Sequence, residues 1–152
     1  NCLKLESKHV IAWTWVVSPA PDLLELVPER DRPALLNDLT ERVIEDYYLE
    51  RGLEVPEYAY VQHRSRTQAT KDQPERAHLH THVVLPGTAP GMGERVPVYN
   101  NATKGHAELL HRIAERHFAD ALDRTLGDDW HALRPDRARD MPSPTDLDLW
   151  FS

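Results

Sequence analysis

The chain has 152 residues, enough for one domain with a hydrophobic core of its own. Its 18 basic and 25 acidic residues leave a formal charge of −7, which counts against a nucleic-acid binder with a broadly basic surface but not against a local basic strip. Val10 to Val17, the longest early apolar run, is too short to cross a bilayer, no signal peptide is visible, and the single Cys2 rules out a disulfide framework, so a cytoplasmic protein with no membrane partner is expected.

Val10-Ile11-Ala12-Trp13-Thr14-Trp15-Val16-Val17 is rich in β-branched and aromatic residues and ends at Ser18-Pro19, which predicts a buried strand. A proline-rich connection follows through Pro19, Pro21 and Pro28. Pro33 then suits the opening turn of a helix, where its missing N–H costs nothing. Leu36, Leu39, Val43, Ile44 and Tyr47 recur at helical spacing, and Gly52 is placed as a stop. Glu57 to His63 alternates and predicts a second strand.

Between Arg64 and Arg76 lie Arg64, Arg66, Lys71 and Arg76 against only Asp72 and Glu75. This stretch reads equally as a solvated loop or as a strip that contacts phosphates. A histidine-bearing strand follows, running His78-Leu79-His80-Thr81-His82-Val83-Val84-Leu85-Pro86. Pro86-Gly87 and Pro90-Gly91 break the chain, and Arg95 to Tyr99 predicts a short strand.

From His106 to Leu126, Leu110, Ile113, Ala114, Phe118, Ala121 and Leu122 mark an amphipathic helix stopped at Gly127. Asp128 to Ser152 is expected to be a loosely structured extension, with Trp130 or Leu149-Trp150-Phe151 docking on the body. The order β-α-β-β-β-α predicts an α+β fold: a mostly antiparallel sheet flanked by helices, carried by residues 1–127 with 128–152 as a C-terminal extension.

The alternating histidines carry the chemistry. On an extended strand His78, His80 and His82 emerge on one face, while Leu79, Thr81, Val83 and Leu85 point to the other. Three imidazoles in a row make a poor packing surface and suit metal binding or phosphate chemistry. If the Glu57–His63 strand pairs with this one, His63 reaches the same face as His80 and His82, and three nitrogens can converge on one ion at roughly 2.1 Å each. Spacing alone leaves open whether His78 or His80 is the partner of His82, since both pairs are i, i+2.

Val61-Gln62-His63 and His80-Thr81-His82-Val83-Val84-Leu85 resemble the motif of the relaxases, mobilisation nucleases of the His-hydrophobe-His superfamily. In that family a single histidine ends one strand, and a His-x-His pair followed by aliphatics lies on the central strand. The order of elements from about residue 9 to 127 is similar as well. The resemblance implies a relaxase-like fold in which His63, His80 and His82 hold Mg²⁺ or Mn²⁺, with Zn²⁺ an alternative, and His78 is an outer neighbour. It implies nicking of single-stranded DNA at a transfer origin, by attack of a tyrosine hydroxyl on phosphorus to leave a 5′-phosphotyrosyl link. Arg64, Arg66, Lys71 and Arg76 would then contact the DNA, and accessory mobilisation proteins would be partners.

The chain departs from the family in three respects: Pro86 stands where a polar residue usually ends the motif, the loop between His63 and His80 is long, and no tyrosine precedes the first strand. Among its tyrosines Tyr47, Tyr58 and Tyr60 fit packing roles. Tyr48 and Tyr99 remain as attacking groups, and the preferred expectation is a nucleophile upstream of Asn1. His78-Leu79-His80-Thr81-His82-Val83-Val84 also resembles the motif of the histidine-triad nucleotide hydrolases and transferases. That resemblance implies metal-free attack by His80 on an α-phosphate. It gives His63 no part, and Asp72-Gln73-Pro74 stands where that family carries a Gly-Gln pair. A zinc-binding or purely structural module is the third reading.

Overall fold

The computed structural model describes residues 11–67, 71, 76–91, 93–100, 103–133 and 147–151. Strand β1 (Ala12–Pro19) leads through a short helix α1 (Pro21–Leu24) and a 3-10 turn to helix α2 (Arg32–Glu50). Strands β2 (Ala59–Thr67) and β3 (Arg76–Pro86) form a long antiparallel pair, followed by a small hairpin of β4 (Thr88–Pro90) and β5 (Arg95–Pro97). Helix α3 (His106–Leu126), a 3-10 turn over Asp128–Leu133 and strand β6 (Leu147–Phe151) complete the order. The main sheet runs β2-β3-β1-β6, and its described pairings are all antiparallel. The α+β expectation therefore holds.

The sheet separates two chemistries by the period of two. Trp13, Trp15 and Val17 of β1 and Thr81, Val83 and Leu85 of β3 are buried, whereas Val61 and Val84 on the opposite face are 58% and 50% exposed. Helix α2 lies on the buried face. Its Leu36, Leu39, Val43, Ile44 and Tyr47, the residues of the predicted stripe, are all fully buried. It also binds the sheet through polar contacts. Gln62 Nε2 donates to Asn37 Oδ1, and the Tyr60 hydroxyl donates to Glu41. Helix α3 packs beside α2, tied by Arg116 and His117 to Asp46 and by Arg124 to Asp38.

Thr81 is a polar residue inside this core. Thr40 donates its hydroxyl proton to Leu36 O at 2.8 Å, so Thr81 must donate across the 2.8 Å contact to Thr40 Oγ1. A hydroxyl at that otherwise apolar position is thereby satisfied.

Three expectations are corrected. Arg64, Arg66 and Arg76 lie on strands rather than in a loop, because the β2–β3 ladder continues past His63 through Arg66↔Ala77 to Thr67↔Arg76. The backbone hydrogen bonds of a long hairpin support polar residues that show no apolar alternation. Thr88–Pro90, read as part of a break, forms β4 against β5. The extension is not loose throughout: the expected docking of Leu149-Trp150-Phe151 takes the form of a strand, Leu147–Phe151, paired with β1 from Trp15↔Phe151 to Pro19↔Leu147. Its alternating Leu-Asp-Leu-Trp pattern is a strand signal too short to stand out alone. Trp130 docks as expected, 3% exposed, with its indole N–H donated to Asp123.

Helix α3 starts at His106 after Gly105, whose φ of 96° suits only glycine without strain. The backbone N–H of Asn100 donates to His106 Nδ1 at 3.2 Å, which requires the neutral ring. Burial and then the Arg51 charge lower the His106 pKa below 6.5. The unfolded chain therefore binds more protons between the depressed folded pKa and 6.5. Stability should rise with pH across that window and fall as the solution is acidified below 6.5. Melting temperatures of the metal-free protein between pH 7.5 and 5 should show this fall, and His106→Asn, which keeps an acceptor near Nδ1, should reduce it.

Candidate metal centre

The open face of the sheet carries the histidines. Antiparallel register sets His63 of β2 directly opposite His80 of β3, and Val61 opposite His82. One nitrogen from each of His63, His80 and His82 lies within 4.8 Å of the other two. The ring centroids are 5.4 Å apart for His63–His80, 5.6 Å for His63–His82 and 4.9 Å for His80–His82. His80 and His82 face each other with their Nε2 atoms 3.1 Å apart. This contact is an imidazole–imidazole hydrogen bond, and its length also matches the roughly 3 Å between two nitrogens that share one ion at right angles, each about 2.1 Å from it. His63 is exposed and the other two are half-buried, so one side of the cluster stays open to water or substrate oxygens.

The local electrostatics favour the neutral form of one of the three rings. Burial lowers the His80 pKa, and the neighbouring His82, His78 and His63 add to the effect, against the His78 backbone carbonyl, which accepts from the ring and favours its protonated form. A neutral imidazole is the form that ligates a metal. The three-imidazole donor set matches transition ions such as Mn²⁺ or Zn²⁺ better than Mg²⁺, which prefers oxygen ligands.

His78 is set apart. Its Nε2 lies 2.5 Å from the Ser18 hydroxyl at the end of β1, and Ser18 itself is 4% exposed. The structure thus groups His80 with His82 and His63, and holds His78 by a different partner. Ser18 is a site neighbour that sequence reading missed. Its signal was its parity with Thr14 and Val16, masked by the adjoining Pro19, which made the pair read as a strand stop.

The structure brings neither Tyr48 nor Tyr99 to the histidines. Tyr48 is fully buried against Tyr47 in the core, and burial pushes its pKa up. Tyr99 packs edge-on against Trp13 at 5.1 Å, again on the helix side of the sheet, and burial raises its pKa too. Arg64 alternates with His63 and pairs with Glu29 at 3.1 Å. Lys71 is exposed, while the side chains of Arg66 and Arg76 lie outside the described residues. No family model, curated protein or solved structure matches the chain.

Proposed function

We propose that this chain is a relaxase-like, metal-dependent nicking domain for single-stranded DNA, acting by phosphoryl transfer to a tyrosine in the mobilisation of a plasmid or other mobile element. The observation that carries the reading is the grouping of His63 with His80 and His82 on an open sheet face, with His78 left out. A histidine triad would need the three consecutive alternate residues of β3 and would have no use for His63. A divalent ion held by the three imidazoles would supply Lewis acidity to the non-bridging oxygens of the scissile phosphate.

The chain's own residues provide the remainder of the site. His80 and His82 are fixed by the central strand, while His63 reaches in from the sheet edge. The Ser18–His78 contact supports the row from β1. All five tyrosines are described, and none stands with the histidines: Tyr47 donates to Val98 O and Tyr60 to Glu41, Tyr58 stacks on Tyr60, and Tyr48 and Tyr99 are in the core. In this reading the attacking tyrosine comes from beyond these five, and DNA at a transfer origin, with accessory mobilisation proteins, completes the assembly.

Fluorescence anisotropy with labelled oligonucleotides tests the reading. In manganese and low salt, a single strand should bind at least about tenfold more tightly than the matching duplex, and the affinity should fall with salt as phosphate contacts release counterions. Equal or immeasurable binding of both forms would sink it.

A further inference from the structure

A second feature adjoins the metal centre, shares His63 with it and is lined by His78 as well. Helix α1 and the turn before α2 stand off from the helix-side face of β2 and β3, leaving a cavity of about 360 Å³. Its walls include Pro21, Leu24, Pro33 and Leu79, and its rim carries Gln62 and Arg64. This size lies at the lower end of small-ligand sites, and apolar walls with a few fixed polar groups are their usual chemistry.

The polar groups are held in place. The Gln62 amide N–H₂ donates to both Pro33 O and Asn37 Oδ1, each at 2.9 Å, which fixes the amide plane and leaves its carbonyl oxygen as an acceptor. Arg64 and Glu29 form an ion pair at 3.1 Å, half-exposed or more, which offers a donor and an acceptor side by side. Arg32, which also lines the cavity, donates to Val27 O and Glu25 O. Apolar walls with a mixed donor–acceptor rim suit a heterocycle whose edge carries both kinds of group.

β2 is an edge strand of the described sheet, so a polymer lying across the histidines can turn over that edge at His63 and enter the cavity. We propose that this cavity is a subsite for one unstacked nucleobase of the single strand engaged at the metal centre. The proposal rests on the nicking-domain reading above. It adds to it a pocket for a base, distinct from the phosphate site. The cost of unstacking one base of a single strand is small, and burial between apolar walls offsets it.

The test uses the whole chain with manganese and two labelled eight-nucleotide strands, one of thymidines and one of abasic residues. Pro33→Trp, at an exposed wall position that supplies no metal ligand, puts an indole into the cavity. For the wild type, loss of the bases should weaken binding about tenfold. For P33W the thymidine strand should bind as weakly as the abasic one, with manganese uptake by calorimetry unchanged. A 4-thiothymidine strand should photo-cross-link to Leu24, Pro33 or Leu79 in the wild type.

Should P33W bind the thymidine strand as the wild type does, or cross-links map only to the open face around Val61 and Val84, the subsite is overturned while the metal and single-strand reading stands. Failure of the wild type to bind either strand overturns both. If P33W loses its fold by circular dichroism, the wild-type cross-links decide.

Discussion

Replacing His80 and His82 together with alanine should abolish manganese uptake in titration calorimetry, while the protein keeps its fold. Both rings project from the open face, and the core beneath β3 is made by Thr81, Val83 and Leu85, so removing them deletes nitrogen donors without opening a cavity. His63→Ala should weaken manganese by at least about 100-fold, more than loss of a group that merely orients a ligand. His78→Ala should cost less than about tenfold, since that ring is bound to Ser18 and stands outside the three-nitrogen cluster. The two singles together separate the readings. A nucleotide hydrolase of the triad kind would keep cleaving an adenylated amine in chelator, would tolerate His63→Ala and would fail with His80→Ala. Absence of metal uptake by the wild type would remove the basis of the nicking-domain proposal.

Trp15→Ala should be the most damaging single change to stability, about 3–5 kcal/mol by urea unfolding. Trp15 is fully buried, with Tyr47 edge-on at 5.2 Å and Tyr99 at 6.3 Å. Truncation removes a large apolar surface and leaves a void that two aromatic rings on separate elements cannot both close. Val84→Ala on the other face is the control. Half-exposed beside the histidines, it should change stability by no more than about 0.5 kcal/mol. Equal costs at the two positions would mean that the histidine face is covered in solution.

Much of the architecture was legible because the hydrophobic periods are clean. The α2 stripe and the α3 helix from His106 to Leu126 follow the 3.6-residue repeat, and alternation set the two faces of β3. The reach of β2 beyond His63 was not legible, since Arg64, Ser65 and Arg66 are polar on both parities and only pairing with β3 holds them extended. The strand at Leu147–Phe151 was likewise hidden until β1 offered it an edge.

At the site, the chain alone determined that His78, His80 and His82 share a face, because the period of a strand allows nothing else. It could not choose among them. That choice is made by register and by a third strand: His63 is opposite His80 across one ladder, and Ser18 takes His78 from the other side. Nor could sequence order reveal that all five tyrosines lie away from the histidines, because which face a side chain joins depends on where the helices dock. Local periodicity sets the direction of each side chain, whereas the meeting of side chains distant in sequence is settled by strand pairing and packing.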